Sequence, residues 1–318
     1  MLTLEVEGRR PVFGRLVGDP FANRGSHNEP RIELSELGKA VQAEWLGISR
    51  YYPQIKVLVV QMMPDHMHSI LFVTERIPVH LGKVILGFKI GCRKAQEALE
   101  AAATEKASPR SPQVTASPSQ EVSSQEPTPP YHPLFAKGYN DMILYSYDVF
   151  AKWKNYLLDN PRRLLMKRAR PEWLRPFFNL RIGSHNYNGI GNLNLLSAPL
   201  RVAVRVSRRF KDNEIAAETT RYLELARQGA VLVSPAISPG EKRVMRATFD
   251  AGFPTIVIME NGFTPLSKPQ GERFDACAQG RLLMLSPWEH HNERKKITAE
   301  QCQQMNLMAL EICGNKIV

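Results

Sequence analysis

Two histidines one residue apart, His66 and His68, interrupt the apolar run MMPDHMHSILFV, residues 62–73. Side chains on a β-strand alternate between faces, so positions i and i+2 project together. Two imidazoles side by side on a rigid strand make half of a divalent-metal site. The competing reading is a pair of polar residues on a solvent-facing ladder. A second pair lies in FAKWKNYLLDNPRR, where Tyr156 and Asn160 stand four apart. On a helix that spacing puts both side chains on one face about a turn apart, and Pro161 is expected to end the helix. A phenol oxygen can attack phosphorus and hold the product as a phosphotyrosine. A tyrosine standing alone is ordinarily a core or rim residue.

The elements that must position these residues fall into two halves. Residues 1–100 mix β-like runs (IKVLVVQMM, HSILFV) with helical ones (LSELGKAVQAEWLGISRYY, LGKVILGFKIGCRKAQEALEAA). The stretch from Ala107 to Pro130 is half Ser and Pro, too poor in apolar residues to offset the entropy of ordering, and is expected to be a disordered insertion within about 101–130. Structure is expected to resume at Tyr131, with a helix from about Asp148 through Asp159. A Gly- and Asn-rich segment, IGSHNYNGIGN, 182–192, reads as a linker. Beyond it apolar strands (LRVAVRVS, GAVLVSP, PTIVIME, GRLLMLSP) alternate with amphipathic helices, ending in a helix from Thr298. That alternation predicts a parallel sheet covered on both faces.

Length allows two domains: 318 residues, of which 43% are hydrophobic, with no apolar run of the length a membrane span needs. The first residues, MLTLEVEGRR, carry charges where a signal peptide needs an apolar core. Cys92, Cys277, Cys302 and Cys313 form no CxxC pair and read as reduced thiols of a cytoplasmic protein. Lys and Arg total 42 against 31 Asp and Glu, a net charge of +11, which favours polyanionic partners. The excess concentrates from Arg162 to Arg181, where seven basic residues (Arg162, Arg163, Lys167, Arg168, Arg170, Arg175, Arg181) meet a single acid, Glu172, with Trp173, Phe177 and Phe178 interleaved. That mixture suits phosphate contacts beside base stacking, or a solvated helix face.

The first half resembles the single-tyrosine HUH transposases, in particular the REP-associated tyrosine transposases. RRPVFGRL, LGKAVQAEWLGI, MMPDHMHSILFV, FKIGCRKA, LFAKGYNDMIL and YLLDNP occur in that family's order, over roughly residues 8–175 apart from the Ser/Pro insertion. The resemblance implies an α+β ferredoxin-like domain over residues 1–181. It implies His66, His68 and Asn160 as ligands of Mg²⁺ or Mn²⁺, and Tyr156 as the nucleophile on single-stranded or hairpin DNA, in a homodimer. Lys89, Arg93 and Lys94 correspond to a helix that lies near DNA in relatives, with Arg162, Arg163, Lys167 and Arg168 as a basic tail. Tyr139 corresponds to a packing aromatic, and neither Tyr145 nor Tyr147 has an amide four residues later on a helix. The chemistry is coherent by itself, since a phosphotyrosine conserves the bond energy for rejoining and a divalent ion is a Lewis acid at the scissile phosphate.

The second half, residues 193–318, resembles the α/β Rossmann-like domain of DNA processing protein A. It does so through GIGNLNLLSAPLRVAVRVSRR, GAVLVSPAISPGEKRVMRATFDAGFPTIVIMENGF and GRLLMLSPWEHHNERKKIT. Ser207, Arg208, Arg209 and Gly240 are then candidates for anion or nucleotide binding at a strand end and a helix start. The turn SPAISPGEK is one residue longer than that group's pattern and lacks the glycine-rich run of related phosphoribohydrolases, which speaks against nucleotide hydrolysis. His290 and His291 have no supporting Cys or carboxylate trio and read as loop residues. The expected function is a metal-dependent single-strand endonuclease and strand transferase. The alternatives are a domesticated single-stranded DNA-binding protein without turnover, or a nucleotide-processing C-terminal domain targeted to DNA.

Overall fold

A computed structural model describes residues 1–23, 25–107, 133–293 and 296–314. The Ser/Pro stretch from residue 108 onward lies outside the described residues. The chain divides into two compact α/β units, Met1–Leu165 and Met166–Val318.

The first unit contains β1 (Leu2–Glu5), β2 (Gly14–Val17), β3 (Arg31–Leu34), α1 (Glu36–Leu46), α2 (Ile48–Tyr51), β4 (Ile55–Met63), β5 (His66–Val73), α3 (Leu81–Ala107), β6 (Asn140–Asp141) and α4 (Tyr147–Leu158). β2 and β3 form a separate two-stranded ribbon, and the main sheet has the order β4-β5-β1-β6 with every neighbour antiparallel. Two β-α-β units are therefore interleaved, because β1 and β4 run parallel with β5 between them.

Side-chain alternation gives the sheet two different faces. Met67 and Leu71 of β5 pack with Trp45 of α1 and Phe88 of α3 in one core. Ile70 of β5 and Val59 of β4 pack with Leu157 and Trp153 of α4 in another. The spacing Phe150, Trp153, Leu157 is the apolar stripe by which α4 lies on the sheet. Ser146 opens α4 by accepting the Val149 N–H, and Ser35 opens α1 by accepting that of Gly38.

The helix expected from about Asp148 through Asp159 is α4, which ends at Leu158 with Asp159 as its C-cap, and a second helix, α5 (Asn160–Ala169), follows at once. Proline is tolerated in a first helical turn because its missing N–H would have had no partner there. Tyr156 and Asn160 therefore belong to successive helices, with Asp159 between them.

The second unit contains β7 (Phe177–Ile182), β8 (His185–Gly191), β9 (Arg201–Ala203), α6 (Asp212–Arg227), β10 (Val231–Ser234), α7 (Pro239–Asp250), β11 (Thr255–Ile258), α8 (Glu272–Ala278), β12 (Leu282–Ser286) and α9 (Ala299–Ile312). Its sheet has the order β7-β8-β12-β11-β10-β9, with β9 to β12 parallel and β8 antiparallel to β12. The crossovers all step the same way, and a constant hand places their helices on one side. Accordingly α6 and α7 cover Val202, Val204 and Leu232, α8 covers Leu282 and Met284, and α9 covers the opposite face over Val231, Val233, Ile256 and Leu285.

The segment read as a linker, 182–192, is the end of β7, a turn, and β8. Glycine there permits close approach rather than flexibility. Gly191 has φ +129°, and a Cβ on it would sit 2.2 Å from the Leu282 carbonyl oxygen of β12. The turn is held by Glu311 of α9, whose carboxylate accepts from the Ser184 N–H at 2.6 Å and pairs with His185 Nδ1 at 2.9 Å. The division into two units falls between Leu165 and Met166, and the 182–192 segment lies within the second.

Candidate functional site

β5 carries both histidines, and their imidazoles converge. His66 Nε2 and His68 Nε2 are 3.1 Å apart, close to the ~3 Å between neighbouring ligands of one ion bound at ~2.1 Å. Each ring is anchored through its other nitrogen. Asp65 Oδ1 lies 2.6 Å from His66 Nδ1 and Thr3 Oγ1 lies 2.8 Å from His68 Nδ1. A carboxylate only accepts, so His66 donates from Nδ1 to Asp65. The Thr3 hydroxyl can donate or accept and so serves either tautomer of His68. Anchors of this kind accompany metal-binding histidines.

His68 is held neutral: its pKa is lowered to about 4, first by burial and then by the neighbouring His66 and Arg9, against a smaller opposing pull from Asp65. A neutral imidazole is the form that can ligate a cation. Arg9 itself pairs with Glu5 and, at 3.6 Å, with Asp65.

The ladder register defines what else shares this face. Thr3 and Glu5 of β1 lie opposite His68 and His66, as do Gln61 and Met63 of β4. Two residues beyond His68 the same face presents Ile70, on which Leu157 packs. Leu157 is the neighbour of Tyr156, so α4 brings the tyrosine to the histidine side of the sheet. Tyr156 is 41% exposed, meets Trp153 edge-on at 5.4 Å, and has the Arg163 guanidinium 5.4 Å from its ring. Asn160, at the start of α5, is half-buried and makes no hydrogen bond among the described residues. No group of three or more His, Cys, Asp or Glu side chains comes together among the described residues.

Several candidate cations have structural tasks. Lys89 donates to the carbonyls of Ala136 and Gly138, both at 2.7 Å, and burial lowers its pKa. It ties α3 to the segment before β6. Arg162 forms a two-pronged pair with Asp159, Nε–Oδ1 2.6 Å and Nη2–Oδ2 2.8 Å, across the break between α4 and α5. Arg93 pairs with Glu97 at 3.3 Å, whereas Lys94, Lys167 and Arg168 are exposed on α3 and α5. The basic-aromatic stretch is not one surface: Phe177 packs into a core, Trp173 lies under Arg170 at 4.8 Å, and Phe178 is exposed. Tyr139 packs against the first core, as expected.

In the second unit Ser207 Oγ accepts the Arg209 N–H at 3.2 Å and so closes a local turn. Gly240 has a packing reason, since a Cβ there would come within 2.3 Å of Val206 Cγ1. The start of α7 is filled by its own capping box, because Glu241 Oε2 accepts from the Ile237 and Ser238 N–H groups. That carboxylate takes the place an anion would occupy. His290 is engaged by the Gly262 carbonyl and Asn292, and His291 Nδ1 lies 2.9 Å from the Glu293 carbonyl. Sequence reading missed Thr3, Asp65 and Gln61 around the histidines. Asp65 was legible as the neighbour of His66, but the other two needed the ladder register.

No family model matches the chain, and no curated protein is similar to it. Two solved structures show partial likeness, both of DNA processing protein A. One, from Helicobacter pylori, is described by its single-stranded DNA binding mode; it has TM-score 0.34 and 19% identity over 44% of this chain and 66% of that one. The other, from Streptococcus pneumoniae, has TM-score 0.33 and 17% identity over 54% of this chain and 60% of that one. Among the described residues no helix is long and apolar enough to cross a membrane.

Proposed function

We propose that the chain handles single-stranded DNA and that its first unit, a ferredoxin-like HUH domain, cleaves a phosphodiester through Tyr156 beside Mg²⁺ or Mn²⁺. The observation that carries this reading is the convergence of two anchored Nε2 atoms 3.1 Å apart, on the sheet face that α4 covers. Two converging imidazoles with an amide oxygen, from Asn160 or Gln61, would fit a divalent ion and leave positions for phosphate and water. An ion held there would supply Lewis acidity at the scissile phosphate. Tyr156 Oη forms a bond to phosphorus as the bond to the 3′ oxygen breaks, the phenol proton goes to solvent, and the departing 3′ oxygen takes a proton from solvent to leave as a 3′-hydroxyl. Arg163 stands beside the phenol as a cation for the charge that builds on phosphate.

The second reading, a single-stranded DNA-binding protein without turnover, is favoured by the break at Asp159, which separates Tyr156 from Asn160. Incubating the full chain with labelled, hairpin-containing single strands and Mn²⁺ or Mg²⁺ separates the two. On a denaturing gel the cleavage reading expects a metal-dependent protein–DNA adduct that is absent in His66→Ala. Strands bound by wild type across a broad panel, yet never attached, would establish the binding reading.

The anchoring of the imidazoles gives a second test. Thr3→Val keeps the side-chain shape on β1 but removes the hydroxyl that is the partner of His68 Nδ1 among the described residues. Mn²⁺ affinity is expected to fall by about 10–100-fold, with little change in thermal stability. Calorimetric titration of both proteins measures it, and equal affinities would detach Thr3 from the site.

A further inference from the structure

We infer, on the reading that the first unit handles single-stranded DNA, that it holds one unpaired base of the strand in an apolar groove at the far end of β5. Pairing of β5 with β1 stops at Ser69 and Leu2, so residues 70–73 run on without a strand on that side among the described residues. The segment 141–147 skirts the gap and leaves a cavity of about 650 Å³, in the size range of small-ligand pockets.

The lining suits a flat, neutral ring. Phe72, Tyr147, Phe150, Leu58 and Ile143 contribute to it, and Asp141 is its one charged residue. Phe72 is 53% exposed, and Ile143 and Tyr147 more so. Large apolar side chains left exposed in one place mark a binding surface, and aromatic faces stack on a base of any identity. The open edge of β5 adds peptide groups for the polar rim of a base, which a purely apolar ligand would leave unpaired.

Charge and shape decide between a base and a second copy of this chain. Lys56 lies opposite Phe72 on the β4–β5 ladder and is exposed. Two copies meeting here about a two-fold axis would set cavity against cavity and bring their Lys56 side chains together, with a net charge of +11 on each. A nucleotide instead places its phosphate beside Lys56 and its base in the groove, from which Asp141 repels phosphate. Phe72 stands four residues beyond His68 on the same face of β5, ~13 Å along the strand. That is about four nucleotides at the ~3.4 Å rise of a stacked strand, so the held base lies close to the bond beside the histidines. The helix α3, with Lys89, Arg93 and Lys94, packs on the opposite face of the sheet, so the strand follows the α4 side instead.

The full chain carrying Tyr156→Phe, kept in a metal chelator, allows binding to be measured apart from cleavage. Fluorescence anisotropy compares a labelled hairpin-containing single strand with the same strand made abasic throughout its unpaired part. Phe72→Leu and Tyr147→Leu are each expected to weaken binding of the first about tenfold, the scale of losing one stacked base. Both should leave the abasic strand unaffected and circular dichroism unaltered, whereas Lys56→Ala should weaken the two strands alike. 2-Aminopurine moved through the unpaired positions is expected to be quenched at one of them, and Phe72→Leu to abolish that quenching. Failure of every strand to bind would overturn the single-strand reading itself and this proposal with it. Strands bound equally by wild type and both leucine variants, with no quenched position, would overturn this proposal alone. So would a dimer that Phe72→Leu dissociates, because the groove would then be a contact between copies.

Discussion

Tyr156→Phe is expected to abolish the covalent DNA attachment proposed above and to leave the fold untouched. The phenol hydroxyl makes no hydrogen bond among the described residues, and Tyr156 is 41% exposed, so deleting the oxygen strands no buried partner. The ring keeps its edge contact with Trp153 and its place under Arg163. Stability is expected to stay within about 0.5 kcal/mol of wild type. Attachment falls by roughly 10³–10⁶-fold, the scale of losing a covalent nucleophile, because no oxygen remains to bond to phosphorus. A denaturing gel with labelled strands reads the first quantity and a melting curve the second. An undiminished adduct would move the nucleophile, with Tyr145 and Tyr147, 84% and 79% exposed, next in line. An adduct lost together with several degrees of melting temperature would make Tyr156 a packing residue.

Sequence pattern reached the strand of the histidines because period-two alternation is local. β4 was legible from end to end as the apolar run IKVLVVQMM, and β5 from its paired histidines followed by SILFV. Capped amphipathic helices such as α6, α7 and α9 were legible for the same reason. What failed depended on partners distant along the chain. The Gly189–Gly191 region reads as loop until β12 lies against it. Gly240 reads as an anion cradle until Val206 and the Glu241 cap are seen beside it. A charge count cannot tell a solvated lysine from Lys89, whose carbonyl partners lie 47 and 49 residues away. Asp159, three residues before Arg162, could have been read as its partner. Pro161 was ambiguous in principle, because proline ends one helix and opens the next equally well.

The histidine strand depends on a residue behind it. Trp45→Ala is expected to destabilise the first unit by about 3–5 kcal/mol, the usual cost of removing a fully buried tryptophan. Trp45 is 0% exposed and meets Phe88 edge-on at 4.7 Å. Its indole N–H donates at 2.8 Å to Ser69 Oγ, which donates in turn at 2.7 Å to the Val59 carbonyl. Ser69 is itself fully buried and sits between His68 and Ile70 on β5. The substitution therefore opens a cavity on one face of the sheet and takes the donor from a hydroxyl inside the strand that aims the imidazoles. Hydrogen exchange localises the loss: β5 amides should lose several kcal/mol of protection while those of β10 and β11 in the second unit keep theirs. Trp45→Phe fills most of the cavity but still removes the donor, so its expected cost is smaller, about 1–3 kcal/mol. If Trp45→Ala costs under about 1 kcal/mol, or protection falls equally in both units, β5 is not held by this contact, and the 3.1 Å convergence of the histidines needs another support.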